Sequence, residues 1–353
     1  MADEKGLLSL LENLALGEED VKSIDDQSKK LQKELHQAGF RIFECLSDKG
    51  YFSWNPSNDA PYINLQSVQS VKDLSLSYLD VNGTPETLVK ISTIRTPTRF
   101  LTLDPNEHKS EYPHSKNDII ALHVAAKYRG INFSNIDFVF GGSTLEMLAT
   151  CDASEPYMLT CIPGTDSVLI SKRKDYIKNS ADIGFQFERL MTGNRMDDTS
   201  LNESVDHMHI MNIGSHRVLF RAETDAIMDG SPVEIKASNP RYWGSKVMFQ
   251  MISSGSTKLC HGEKGRGSLT RVEMKSLHLV AETALASSNI KTLERNILNS
   301  MESIQAQMKS ATPGDVFKVS FRGTKLLLTL ARGRSADILP PADVVRELMD
   351  VTK

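Results

Sequence analysis

Two runs near the middle of the chain, 217–225 and 232–238, are apolar enough to read as β-strands, yet they carry Glu223, Asp225, Glu234 and Lys236 at alternate positions. Side chains alternate faces along a strand, so Glu223 and Asp225 point one way together, and so do Glu234 and Lys236. A hairpin through 227–231, turning at Asp229–Gly230, would bring all four groups to one face. Ionised groups on otherwise apolar strands are costly to bury unless something compensates their charge. A divalent cation does so, and carboxylate oxygens suit a hard ion such as Mg²⁺ or Mn²⁺. The alternative is a solvent-facing row of cross-strand ion pairs.

Around these runs the pattern alternates in type. Segments 136–140, 157–162 and 167–171 read as strands, 176–191 as mostly helix, and a further helix is expected from about Tyr242 to Ser253. Such interleaving predicts an α/β fold with a mixed β-sheet core flanked by helices, a single domain with a metal cleft. Prolines at 56, 61, 85, 97, 105 and 113 mark the stretch from Phe40 to Lys116 as loops and edge strands, with a short β-like piece at 88–94. An amphipathic helix is expected at 117–129, stopped by Gly130. Leucines at 7, 8, 11 and 14, and a run without Pro or Gly over 21–38, predict a helical arm over 1–39 ahead of a domain over 40–353. That arm either binds a protein partner through its amphipathic face or packs on its own domain.

Composition narrows the class. Hydrophobic residues at 40% and charged residues at 24% are those of a soluble, folded protein. With 41 Lys+Arg against 45 Asp+Glu, the net charge of −4 creates no field that draws the whole chain onto nucleic acid. Any contact with nucleic acid therefore requires a local basic groove, for which Lys172, Arg173, Lys174 and Lys178 are candidates. The cysteines at 45, 151, 161 and 260 form no C-x-x-C pair, which argues against a zinc knuckle or disulfide scaffold. With an acidic start and no long apolar stretch, the expectation is an intracellular protein, cytoplasmic or nuclear, with no membrane contact.

Two more segments complete the pattern: Gly184-Phe185-Gln186-Phe187-Glu188, upstream, and a helix bearing Gln250, downstream, followed by a glycine-containing strand. The order G-Φ-x-Φ-E, E-x-D, E-x-K and then a Gln-bearing helix resembles the decapping exoribonuclease (DXO) family of RNA 5′-end enzymes. The stretch from Ile136 to Gly262 follows that family in order and spacing, and Asp337-Ile338-Leu339-Pro340 resembles its closing L-P segment. The resemblance implies metal coordination by Glu188, Asp225, Glu234 and the backbone carbonyl of Ile235, with Glu223 acting through water or on a second ion. It implies catalytic roles for Glu223, Lys236 and Gln250, with Lys236 and Gln250 beside the substrate phosphate. It also implies Mg²⁺ or Mn²⁺ as cofactor, an RNA 5′ end as substrate, and decapping, pyrophosphohydrolase and 5′–3′ exoribonuclease chemistry.

Two departures stand out. Where the family carries an arginine before a glycine, this chain reads Phe140-Gly141-Gly142-Ser143, and glycine cannot supply the forked donors that hold a phosphate. Arg221 or Arg129 would have to bring that charge from another direction, or the chain is a weakened or inactive RNA-binding relative. At Ser171-Lys172-Arg173 bases stand where the family often has an acid. Three other features carry weaker readings. His207 and His209 alternate like strand residues and are candidate transition-metal ligands, Gly262–Gly267 reads as a turn rather than a phosphate loop, and Tyr242 and Trp243 offer base stacking or simple packing.

Overall fold

A computed structural model describes residues 18–55, 62–64, 109–112, 131–154, 156–162, 164–172, 176–179, 184, 187–188, 191, 204–228, 230–239, 245–264, 269–286, 289–312 and 314–331. In chain order the elements are α1 (Glu18–Gln37), β1 (Phe43–Asn55), β2 (Tyr62–Asn64), β3 (Lys109–Tyr112), β4 (Phe138–Phe140), α2 (Gly142–Thr150), β5 (Tyr157–Cys161), β6 (Val168–Lys172) and β7 (Tyr176–Asn179). Then follow β8 (Ser204–Ile213), β9 (His216–Glu223), β10 (Ala226–Met228), β11 (Ser231–Ser238), α3 (Lys246–Ser254), β12 (Lys258–Lys264), β13 (Leu269–Ser276), α4 (Leu277–Ala284), α5 (Ile290–Met308), β14 (Phe317–Arg322) and β15 (Lys325–Leu330).

The strands form a nine-stranded mixed sheet in the order β15-β14-β5-β6-β4-β9-β8-β1-β2, a four-stranded sheet β10-β11-β12-β13, and the pair β3-β7. β4 runs parallel to both β6 and β9, and all three of its residues, Phe-Val-Phe, are buried, as a strand covered on both faces requires. The main core lies between the large sheet and helices α2 to α5. On α5, Leu293, Ile297, Met301, Ile304 and Met308 recur at helical spacing on the buried side, and the Asn289 side chain caps its start by accepting from the Lys291 amide at 2.9 Å. The second half of α1 joins this core through Leu31, Leu35 and Ala38.

Several expectations change. Residues 176–179 form a strand, whereas 184, 187, 188 and 191 are helical as read. The stretch after Phe40 opens with a thirteen-residue strand, β1, that pairs along β8 inside the large sheet. Its Asp48-Lys49-Gly50 looks like a turn in sequence, but register shifts at 45/47 and 48/50 absorb Leu46 and Lys49 as bulges, and Gly50, at φ +71°, still pairs with Met208. The hairpin turns between 228 and 231 as expected, but its first arm was misassigned. β9 belongs to the large sheet, and β11 turns back instead on β10, in the register Ala226↔Val233 and Met228↔Ser231. Thr224-Asp225 is thus the link between two sheets. The expected helix at 117–129, the piece at 88–94, Tyr242, Trp243, Arg129, residues 265–267 and the closing L-P segment lie outside the described residues.

Candidate active site

The link places the acids on both sides of a seam. Glu223 ends β9 and is exposed, Asp225 follows immediately before β10, and Glu234 and Lys236 stand on β11 with Glu234 only 4% exposed. Alternation works as expected within the smaller sheet. Val233, Ile235, Cys260 and Val272 form an apolar face with Phe187 and Met191, leaving Glu234 and Lys236 on the other. Because Phe187 is locked into that cluster, its helical neighbour Glu188 is carried to the same region.

The central contact is the Lys236 ammonium, 2.6 Å from Glu234 Oε1 and 3.6 Å from Asp225 Oδ2. The Ile235 amide donates to Asp225 Oδ2 at 2.8 Å. The N–H and C=O of one strand residue point to the same edge, so the Ile235 carbonyl also faces the Asp225 side. Burial, followed by the negative charge of Asp225, pushes Glu234 up to about 7 despite Lys236, and Glu223 adds to the rise. Burial works against the Lys236 charge, but Asp225, Glu234 and then Glu188 outweigh it and hold the ammonium well above its ordinary range. The two directions fit one arrangement, in which several acids gather around Lys236.

These donors fit a hard divalent ion in chemistry: carboxylates, a backbone carbonyl on the same edge, and one acid, Glu234, buried with its charge resisted. As they stand, no three acidic, histidine or cysteine side chains among the described residues are placed to hold a metal together. The Lys236 ammonium fills the space between Glu234 and Asp225. Gln250 is half-buried on α3, a helix that packs against β9 and β11. Its Cα sits against Gly142, where an added Cβ would lie 2.9 Å from it and would strike Ser253 Oγ.

Gly141 also has a structural reason. A Cβ at this position would meet the Arg221 carbonyl oxygen at 2.8 Å, so an arginine cannot be accommodated without moving β9. Arg221 is itself engaged by an acid. Its Nη2 and Nε reach Asp206 Oδ2 at 2.7 and 3.1 Å, across the β8–β9 register. Lys172, from the expected basic groove, lies near Glu146 on α2 together with Lys246; burial raises Glu146 while these two lysines oppose the rise. His207 and His209 do not gather a metal-binding set. His207 is hydrogen-bonded to Asp48 and to the Ser254 carbonyl, and His209 is stacked on it with ring centroids 5.4 Å apart. The partnership with Asp48 escaped the sequence reading, whose only trace of it is a charged residue inside a run that turned out to be strand. All four cysteines are free thiols.

This arrangement of sheets and helices has counterparts among solved structures. S. pombe Rai1 in complex with 3′-FADP superposes with a TM-score of 0.61 over 83% of this chain and 96% of its own, at 18% identity. The fold is that of Rai1 and Dxo1. Candida albicans Rai1 in complex with pU5-Mn²⁺ matches at TM-score 0.61 and 12% identity, covering 86% of this chain and 94% of its own. K. lactis Dxo1 in complex with manganese matches at 0.58 and 14%, covering 82% and 89%. The Rai1/Dxo1 fold is thus shared along most of each chain while the sequences have diverged widely. No family model matches the sequence, and no curated protein matches it. No helix among the described residues is long and apolar enough to cross a membrane.

Proposed function

We propose that the chain is a divalent-metal-dependent hydrolase of RNA 5′ ends, of the decapping, pyrophosphohydrolase and 5′–3′ exoribonuclease type, with its catalytic domain over 40–353 and a helical arm over 1–39. The observation that carries this reading is Glu234, buried with its charge resisted, beside Asp225 and Lys236 at the seam between two sheets. It is supported by a fold whose solved examples include one with pU5-Mn²⁺ and one with manganese.

Bound Mg²⁺ or Mn²⁺ would lower the pKa of a water and neutralise charge on phosphate oxygens. Glu188, Asp225, Glu234 and the Ile235 carbonyl are its holders in this reading, and Glu223, the exposed acid at the rim, acts through water. Lys236 exchanges its contact with Glu234 for one with substrate phosphate or the attacking water, so that a stored ion pair becomes a positioning group. Gln250 orients the phosphate from α3. The test incubates the full chain with 5′-triphosphate, 5′-monophosphate and capped RNAs in Mg²⁺ and in Mn²⁺, beside the Asp225→Ala, Glu234→Ala double variant. Products lost in the variant support the reading, and absence of product with every 5′ group sinks it.

A second reading rests on Gly141. With no arginine there and Arg221 committed to Asp206, the chain holds 5′-phosphorylated RNA without turnover. Tight RNA binding with no product in either metal would favour it.

A further inference from the structure

A buried charged contact lies behind the candidate site, on the far end of the helix that carries Gln250. His207 of β8 and Asp48 of β1 have side chains only 2% and 5% exposed. The ring's Nε2 is 2.9 Å from Asp48 Oδ1 and its Nδ1 is 2.8 Å from the Ser254 carbonyl oxygen, in the last turn of α3. Burial pushes Asp48 up, but the His207 charge and hydrogen bond, the Gly50 amide and His209 together bring it below its ordinary value, so it faces the ring as a carboxylate. Both ring nitrogens then face acceptor oxygens, a geometry that suits a donor at each. His209, stacked beside it, is kept neutral, driven down to about 3 by burial and then by His207.

The position suits a cation. Carbonyl dipoles gather at the C-terminal end of a helix, and positive charge is favoured there. α3 closes on Gly255 at φ +72°, with the Ser256 amide returning to the Met251 carbonyl at 2.9 Å. A Cβ on Gly255 would lie 2.8 Å from His207 Cε1 and 3.0 Å from Nδ1, so the ring is packed directly against the helix terminus. Ser254 is one turn beyond Gln250, and Ser253 Oγ donates to the Gln250 carbonyl at 2.9 Å. The other side of Gln250 is pressed on Gly142.

We propose that His207, clamped between Asp48 and the Ser254 carbonyl, is a positioning residue that fixes the end of α3 and thereby sets where Gln250 meets the substrate phosphate. This rests on the role proposed for Gln250, so the test has one arm that needs no turnover.

The first arm is a double-mutant cycle in the full chain with 5′-triphosphate RNA and Mn²⁺. His207→Gln keeps at most one of the two contacts, and Gly255→Ala displaces an intact ring. Each is expected to lower kcat about tenfold with little change in KM, and to add almost nothing in a Gln250→Ala background. A full tenfold loss persisting in that background, or a loss confined to KM, overturns the proposal. The second arm is nitrogen-resolved NMR of the folded protein without RNA. Two protonated ring nitrogens on His207, and a shift of the Gln250 side-chain amide in Gly255→Ala, are expected. A singly protonated ring or an unmoved amide overturns the clamp even if the RNA reaction itself fails.

Discussion

Replacing Glu234 with glutamine isolates the charge that the candidate site holds under strain. Its carboxyl rises from an ordinary 4.5 to about 7, which at 1.36 kcal/mol per unit is roughly 3 kcal/mol of resistance to ionisation in the folded state. The folded chain therefore keeps a proton that the unfolded chain gives up. That contribution to stability is fully present below the unfolded pKa, declines as the pH rises, and is lost once the pH passes about 7. In EDTA, urea unfolding of the native chain is expected to show stability falling by up to about 3 kcal/mol between roughly pH 4 and 7 relative to Glu234→Gln, which has no proton to lose. Saturating Mn²⁺ at about 100 times its Kd should return roughly 2.7 kcal/mol to the native chain and little to the variant. Parallel pH curves for the two proteins would refute the claim that Glu234 is buried at an electrostatic cost.

Other substitutions separate the remaining contributions. Lys236→Met removes the ammonium from between Glu234 and Asp225; turnover should drop by about a hundredfold or more while Mn²⁺ affinity in calorimetry holds or rises, because the cation no longer competes with a fixed lysine. Gly141→Ala should cost about 1 to 3 kcal/mol in urea melts through its clash with the Arg221 carbonyl, and Gly141→Arg should not raise activity. Arg221→Met removes both guanidinium contacts to Oδ2 of Asp206, which is 4% exposed, and should destabilise by about 3 kcal/mol, a loss that Asp206→Asn in the same chain relieves.

Much of this organisation was legible because it depends on short periods. The alternation along 232–238 correctly separated Glu234 and Lys236 from Val233 and Ile235. The apolar run at 136–140 correctly announced a buried strand. What failed was long-range or depended on a choice between equal local options. Nothing local distinguishes a hairpin between 217–225 and 232–238 from a chain that leaves one sheet at Thr224 and starts another at Ala226; the large sheet decides it, by pairing β9 with β8 and β4. Asp48-Lys49-Gly50 has turn chemistry, and only its burial against His207 makes it a bulged strand. The glycine at 141, a departure from the family pattern the chain resembles, was plain in the sequence. What excludes a larger residue there, a carbonyl oxygen where the Cβ would stand, needed coordinates.

The two-residue link at Thr224-Asp225 has a mechanical consequence. Glu223 rides on the nine-stranded sheet and Glu234 on the four-stranded one, so an ion held by Glu234 and reached through water by Glu223 would act as a rivet across the seam. Slower amide exchange on metal addition should then appear in β9 and β11 together, and strain applied to either sheet should be felt as a change in ion affinity.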